Sequence, residues 1–364
     1  NHLQSVTLYE RGPGLSELER VFAVDGAGMI TDLEPLLELM QGEALHSGRA
    51  RKLVSLARGI IRGENEAAEA ARKRLLSSLL GQFEESGVSS AAALLHDFSG
   101  DSLLALGTDE SPLLRSLVAA HFSGSSRPEE QALLLAFLDD EDERVEAAAV
   151  ASLGHVQLES ARTELLLRAR LSEGIVRQAA LEACGRLGGE GVQEALINGL
   201  ADRDLNYQLS ALRGLALLAD PSQISFFVSY LQLGENSPHY QIAFRALEEF
   251  GPLAHSALLR IAGSKRHKAQ RAAALLLARS GKGEVADSLV SIMESAEDAE
   301  VAHELAVLTC FDLRSSENAA LEYREWLELG GHRDSWRWFQ EAVQRRELEC
   351  PPQEDFQGDG TRAA

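Results

Sequence analysis

The stretch DDEDERVEAAAVASLGHV, Asp139 to Val156, passes from five consecutive acids into an alanine-rich apolar run that ends in Leu153-Gly154 and two more residues. A related stretch, LSEGIVRQAALEACGRLGG, follows at Leu171 to Gly189. Val145, Ala148, Ala149 and Gly154 match Val176, Ala179, Ala180 and Gly185, each pair 31 residues apart. Another step reaches DRDLNYQLSALRGLALLAD, with Tyr207, Ser210, Ala211 and Ala216 in register. HYQIAFRALEEFGPLA comes next, slipped by about two residues, then KRHKAQRAAALLLARSGKG and EDAEVAHELAVLTCFDL. One step backwards from Val145 lands on Leu114 in DESPLLRSLVAAHF. The chain therefore carries about seven units between Ser99 and Leu313.

Within each unit the apolar residues recur at i, i+3, i+4 and i+7, the spacing of one helix face. A shorter Leu-rich segment such as PEEQALLLAFL or VQEALINGL leads in, a polar turn follows, and the alanine-rich segment forms a second helix. The acids of Asp139–Glu143 fit that turn: an Asp side chain caps free helix N–H groups, and acids there meet the positive end of the helix dipole. Calcium or a basic partner is the alternative occupant of this run, although the alternating DxDxDG ligand pattern is absent. Gly at the far end is expected to close the helix in left-handed geometry. A two-helix unit of this length cannot bury its apolar face alone and must stack on copies of itself. The expected fold is all-α, an α-solenoid of stacked antiparallel helix pairs.

The D/E-turn-V-x-x-A-A-x-x-x-x-G signature in DEDERVEAAAVASLG and SEGIVRQAALEACG resembles HEAT repeats, specifically the short bacterial HEAT-like (PBS-lyase-type) kind. The resemblance covers roughly 60% of the chain and speaks to architecture, hardly to function. Glu146 and Gln208 stand where Arg177 does, so a regular Arg–Asp ladder along the stack is not expected.

The ends differ. Residues 1–31 read as an irregular or short hairpin lead-in, with Asp25-Gly26 as the turn signal. Residues 32–98 read as an N-terminal helical cap or divergent repeats, 99–313 as the HEAT-like array, and 314–349 as capping helices bearing Trp326, Trp336 and Trp338. Those indoles also suit a partner groove, since Trp and Arg are enriched at binding hot spots. Residues 350–364, rich in Pro, Gly and polar side chains, read as a flexible tail.

Composition narrows the function classes. Net charge is −21, which repels phosphate backbones, so no nucleic-acid partner is expected. No apolar run reaches the roughly 18 residues of a membrane span. Cys184, Cys310 and Cys350 offer no CxxC pair and fit a reducing compartment, which favours the cytoplasm. The chain begins at Asn1 rather than Met, so a removed signal peptide stays open. Ten histidines form neither HxH nor HExxH, and no nucleophile elbow or phosphate loop appears. No catalytic residue, metal or cofactor is assigned.

The expected function is a non-catalytic interaction scaffold that binds a protein or peptide along the second helices. Helical phase nominates Gln178, Gln208, Arg213, Arg245, Arg271 and His303 as outward contacts, and Tyr240, which opens a helix, as an anchor. Tyr207 also opens one of these helices, but its register favours the core. The stretch RIAGSKRHKAQR adds Lys265, Arg266 and Lys268, either as a solvated turn or as a docking patch for an acidic peptide or phosphate. Two enzyme classes share similar repeats. Phycobilin lyases, or a chromophore-binding protein of that kind, are the alternative the resemblance permits, without a lyase motif here. Hydroxylases of the deoxyhypusine type use four His-Glu pairs to hold two irons, whereas this chain has one such pair, His303-Glu304.

Overall fold

The structure is a computed structural model that describes residues 66–328, apart from 83–85, 265–267, 296–297, 310–312, 315 and 317. The expected N-terminal hairpin, the helices before residue 66, Cys310, Cys350, Trp336, Trp338 and the C-terminal tail lie outside the described residues. Every regular element among the described residues is a helix. The chain divides into two compact units, Asn1–Ala195 and Leu196–Ala364.

In the first unit the helices are α1 (Glu66–Gln82), α2 (Ser86–Leu95), α3 (Gly100–Leu106), α4 (Pro112–His121), α5 (Pro128–Ala136), α6 (Glu143–Val156), α7 (Arg162–Leu171) and α8 (Gly174–Leu187). Helix α6 lies between α4 and α8, and α7 packs on α8. After α9 (Val192–Leu200), the second unit holds α10 (Leu205–Leu218), α11 (Ile224–Tyr230), α12 (Pro238–Phe250), α13 (His255–Ala262), α14 (Gln270–Arg279), α15 (Ala286–Ser295), α16 (Ala299–Thr309) and α17 (Ala319–Glu328). Here α12 packs on α10 and α14, and α14 on α16; α11, α13 and α15 back α12, α14 and α16 in turn. Short turns make each helix pair antiparallel. Pro112, Glu143, Gly174 and Leu205 open helices at 31-residue intervals, and Pro238 comes 33 after Leu205, which is the slip read in the sequence.

The acidic turn behaves as its chemistry requires. Asp142 is the N-cap of α6 and accepts a 3.0 Å hydrogen bond from the Arg144 amide. Asp140 accepts from the Asp142 amide at 2.9 Å and takes a two-pronged contact from Arg115, at 2.8 Å through both Nε and Nη2. The turn after α9 repeats the device, with Asp204 accepting from the Asn206 amide at 2.7 Å. Such caps each stabilise a helix by about 1 kcal/mol.

The signature glycines correct one expectation. Gly154 and Gly185 do not end their helices; both lie inside them and are buried. The left-handed position after α6 is Gln157, at φ 55°, and a glycine, Gly188 at φ 66°, follows α8. Gly154 serves close approach instead. A Cβ there would sit 2.6 Å from both Cα and Cβ of Ala183 on α8. No side chain fits without moving a backbone, so glycine against alanine sets how tightly α6 and α8 pack. Around that contact Val145, Ala149, Val150, Leu153, Ala180 and Leu181 have no exposed surface.

Gly154→Ala is expected to lower stability by about 1–3 kcal/mol, the range for overpacking a filled interior, with the loss read as a fall in Tm. Ala180→Asp is expected to cost more, about 4 kcal/mol or above, because it buries an unpaired carboxylate. A melting curve for Ala180→Asp that superimposes on the parent would show that Ala180 does not face the packed interior.

Candidate functional site

The helix position after the signature valine ties each turn down. Arg115 on α4 does so through Asp140. Arg177 donates to the Ala169 carbonyl at 3.1 Å, Gln208 to Asp202 at 2.7 Å, Gln241 to Glu235 at 2.8 Å and Gln270 to Ala262 at 3.2 Å. Glu146 inverts the pattern and accepts from Arg168 at 2.8 Å. A repeating Arg–Asp ladder is thus replaced by side chains folded back on local carbonyls. Gln208, expected to face a partner, is one of them, and its Oε1 lies 3.2 Å from His239 Nε2.

Three helices of the second unit carry stripes spaced by four residues. They are Tyr240, Phe244 and Glu248 on α12, Arg271, Leu275 and Arg279 on α14, and Glu300 and Glu304 on α16. Spacing of four places side chains along one helix face. The stripes of α12 and α14, with Glu300, line an open groove of about 240 Å³, joined by Glu235, Gln241 and Arg245. Its floor is aromatic: the Tyr240 and Phe244 rings stack with centroids 5.7 Å apart. The Arg279 guanidinium lies over the Phe244 ring, 5.4 Å from its centroid, within the range of cation–π attraction.

Arg271 and Arg279 bind the helices on both sides of α14. Arg271 donates to Asp298 at 2.5 and 3.1 Å, to Glu300 at 2.6 Å, and to Glu235 before α12. Arg279 donates to Glu304 at 3.0 Å and Glu300 at 2.8 Å, with Glu248 3.9 Å away. Asp298 also accepts from the Val301 amide at 3.1 Å. Its carboxyl is held below the usual carboxylate range, chiefly by the hydrogen bonds from Arg271. Burial, followed by the charge of Glu235, pushes the Tyr240 phenol up to about 12.

The structure thus brings Tyr240, Arg245 and Arg271 of the nominated residues to one groove. Tyr240 is buried rather than projecting, because it takes the helix position filled by Val145 in α6. Arg271, nominated as an outward contact, is instead committed to three carboxylates. Arg245 and Arg213 are exposed, Gln178 is half-buried, and Lys268 is exposed; Lys265 and Arg266 lie outside the described residues. His303 is exposed with Nδ1 3.0 Å from Arg314 Nη1, while Glu304 is taken by Arg279. Both members of the His-Glu pair therefore face guanidiniums, which is not the environment of a metal shell. Among the described residues no group of three or more His, Cys, Asp or Glu is placed to hold a metal, and no helix is long and apolar enough to cross a membrane. The Cys184 thiol, pushed up to about 12 by burial, stays protonated and packs as a small apolar group. Sequence reasoning missed Phe244, Glu248, Arg279 and Glu300. Their i+4 spacing was the available signal.

Stacked helix pairs with capped acidic turns make an all-α helical-repeat fold. Within the chain, residues 100–185 match the family of HEAT repeats. Among solved structures the chain is similar to an engineered protein at 16% identity, covering 90% of this chain and 98% of that one, with a TM-score of 0.41. It is also similar to the CpcE–CpcF complex of phycocyanin lyase from Nostoc at 18% identity, over 74% and 96%, with a TM-score of 0.35. For human deoxyhypusine hydroxylase the values are 14% identity, 73% and 97%, with a TM-score of 0.25. Comparison with curated proteins returns no match.

Removing the shared cation should loosen α14 from both neighbours. Arg271→Met is expected to cost about 1–2 kcal/mol, since these pairs are only half-buried and solvent screens them. Asp298 has a lowered folded pKa, so its contribution is present above the unfolded value and disappears as pH falls through the folded one. Asp298→Asn should therefore reduce stability most near neutrality and match the parent in strong acid, as followed by denaturant unfolding across pH.

Proposed function

We propose that the chain is a protein-binding adaptor, and that the groove between α12 and α14 holds an extended segment of its partner. The observation that carries this reading is the groove's composition. Two stacked rings form a floor, exposed Arg245 stands beside them, and alternating charges line the rim. Aromatic and arginine side chains that a partner can desolvate supply most binding energy at protein interfaces, while a polar rim supplies register. A single groove binds a narrow element, and an extended segment matches the four-residue stripes running along it. The same charges, paired within the protein, hold the groove's walls in place before the partner arrives, which limits the entropy lost on binding.

A photo-crosslinking residue at position 245 should capture a specific protein from the native source at stoichiometric yield. The Phe244→Ala variant carrying the same crosslinker, checked for retained helicity, should lose that protein. Leu171→Ser, a change at a 73% exposed position of the first unit, should keep it. Equal capture by all three proteins would remove the groove from the interface.

A further inference from the structure

The first unit holds two histidines set against each other, away from the groove. His96 follows directly on α2, and His121 is the last residue of α4. Their ring centroids lie 4.7 Å apart, with the planes tilted by 59°. Helices α2 and α4 pack together, so the two imidazoles stand where one helix end meets the other. His96 is exposed; His121 is half-buried and also meets the buried Phe122 ring at 6.1 Å. No hydrogen bond from a described residue reaches either ring.

Imidazole is the side chain whose charge ordinarily changes near neutral pH. Uncharged, two rings at this separation simply pack; both charged, they repel. The other charges around His121 do little to absorb a proton there. Glu130 on α5 attracts one, but already accepts from Ser125 and Arg127. The C-terminal end of α4 also favours a cation. Helix α3 brings Asp101, which is exposed and lies 3.7 Å from Arg127. Helix α6 meets α4 through the Ser152 hydroxyl, which donates to the Ala119 carbonyl at 2.8 Å; its charged or titratable residues are Glu143, Arg144, Glu146 and His155. Asp97 adjoins His96. Of these side chains only His96 and Glu130 bear on the His121 charge. Burial first, and His96 second, hold the His121 imidazole below its ordinary value.

We propose that His96 and His121 form an acid-sensitive latch: uncharged, the paired rings let the end of α2 rest on α4, and once both take protons they push α2 off α4. Leu94 and Leu95, which precede His96 and are buried, would then be loosened with it. The folded value of His121 lies below the unfolded one of about 6.5. The unfolded chain therefore binds more protons, and stability falls with pH. The α2–α4 packing is complete above the unfolded value and weakens as pH falls through it, until the folded value is passed. Two unit charges 4.7 Å apart shift an equilibrium about fourfold even in a waterlike medium, and more where His121 is shielded from water.

Hydrogen exchange of the full chain, corrected for intrinsic rates, tests the latch between about pH 7.5 and about pH 5. Protection of residues 86–95 should fall about fourfold or more over that span. His96→Asn, at an exposed position, and His121→Phe, which keeps a ring without a charge, should each flatten the fall. His155→Asn removes a histidine of the same unit whose value is lowered by burial and Arg186 rather than by another imidazole, and should leave the fall in place. Magnetic resonance of isotope-labelled histidine reads the pairing itself. The His121 midpoint should rise in His96→Asn and drop further in His96→Lys. An unchanged His121 midpoint in both His96 variants would overturn the pairing. A fall in protection that survives in His96→Asn and His121→Phe, or that His155→Asn flattens equally, would overturn the latch.

Discussion

The approach of one second helix to the next is the constraint on which the repeats depend. At Gly154 the backbone of α6 comes so near Ala183 of α8 that a single methyl group would overlap it. Only helices with glycine and alanine on the facing stripe can pack this closely. Once they do, Val145, Ala149 and Leu153 lose all contact with water. That burial, at roughly 25 cal/mol per Å² of apolar surface, outweighs the low β-branched and aromatic content that would stabilise a conventional core. A helix pair alone exposes the same stripe to solvent, which is why the pairs occur as a stack rather than singly.

Close packing of apolar stripes leaves the polar turns at the edges, and there the protein works locally. Glutamines at positions 208, 241 and 270 return to carbonyls in or beside their own turn, so these turns do not require a neighbour of opposite charge. Arginines reach further, as Arg115 does to Asp140 and Arg168 to Glu146, and α14 carries two of them. Arg271 and Arg279 project to both sides and engage residues from the segment before α12 through α16. In an acidic chain these guanidiniums collect carboxylates that would otherwise repel one another. The second unit thereby gains lateral ties that the glutamine turns lack.

Much of this architecture was legible in the sequence. The 31-residue recurrence of Val, Ala-Ala and Gly gave the pairs, and five acids before Val145 gave the turn and its cap. Gly154 was misread because a glycine near the end of an apolar run suits a left-handed cap and a tight contact equally well; only the facing residue, Ala183, distinguishes them. The groove was half-visible. Helical phase picked out Tyr240, Arg245 and Arg271, but each was judged on its own helix. The carboxylates that claim Arg271 lie 27 to 36 residues away in sequence, and no local pattern signals a pairing over that distance. Gln208 had the right phase for a surface contact, but its long, flexible side chain found the Asp202 carbonyl first.

The groove follows from a departure from the repeat's own rule. Where α6 presents Val145 and Ala149, α12 presents Tyr240 and Phe244. Helices bearing rings at those positions cannot close to the Gly154–Ala183 separation, so α12 and α14 meet over a gap whose floor is aromatic. Within a stack stabilised by small residues, such a gap forgoes packing contacts. The Arg279 guanidinium over Phe244 and the shared Glu300 offset part of that loss, because they cross the gap from its walls. A repeat that gave up its small residues only to be filled more loosely would be a defect; here the guanidinium over the ring and the shared carboxylate keep the stacked rings and charged rim in place.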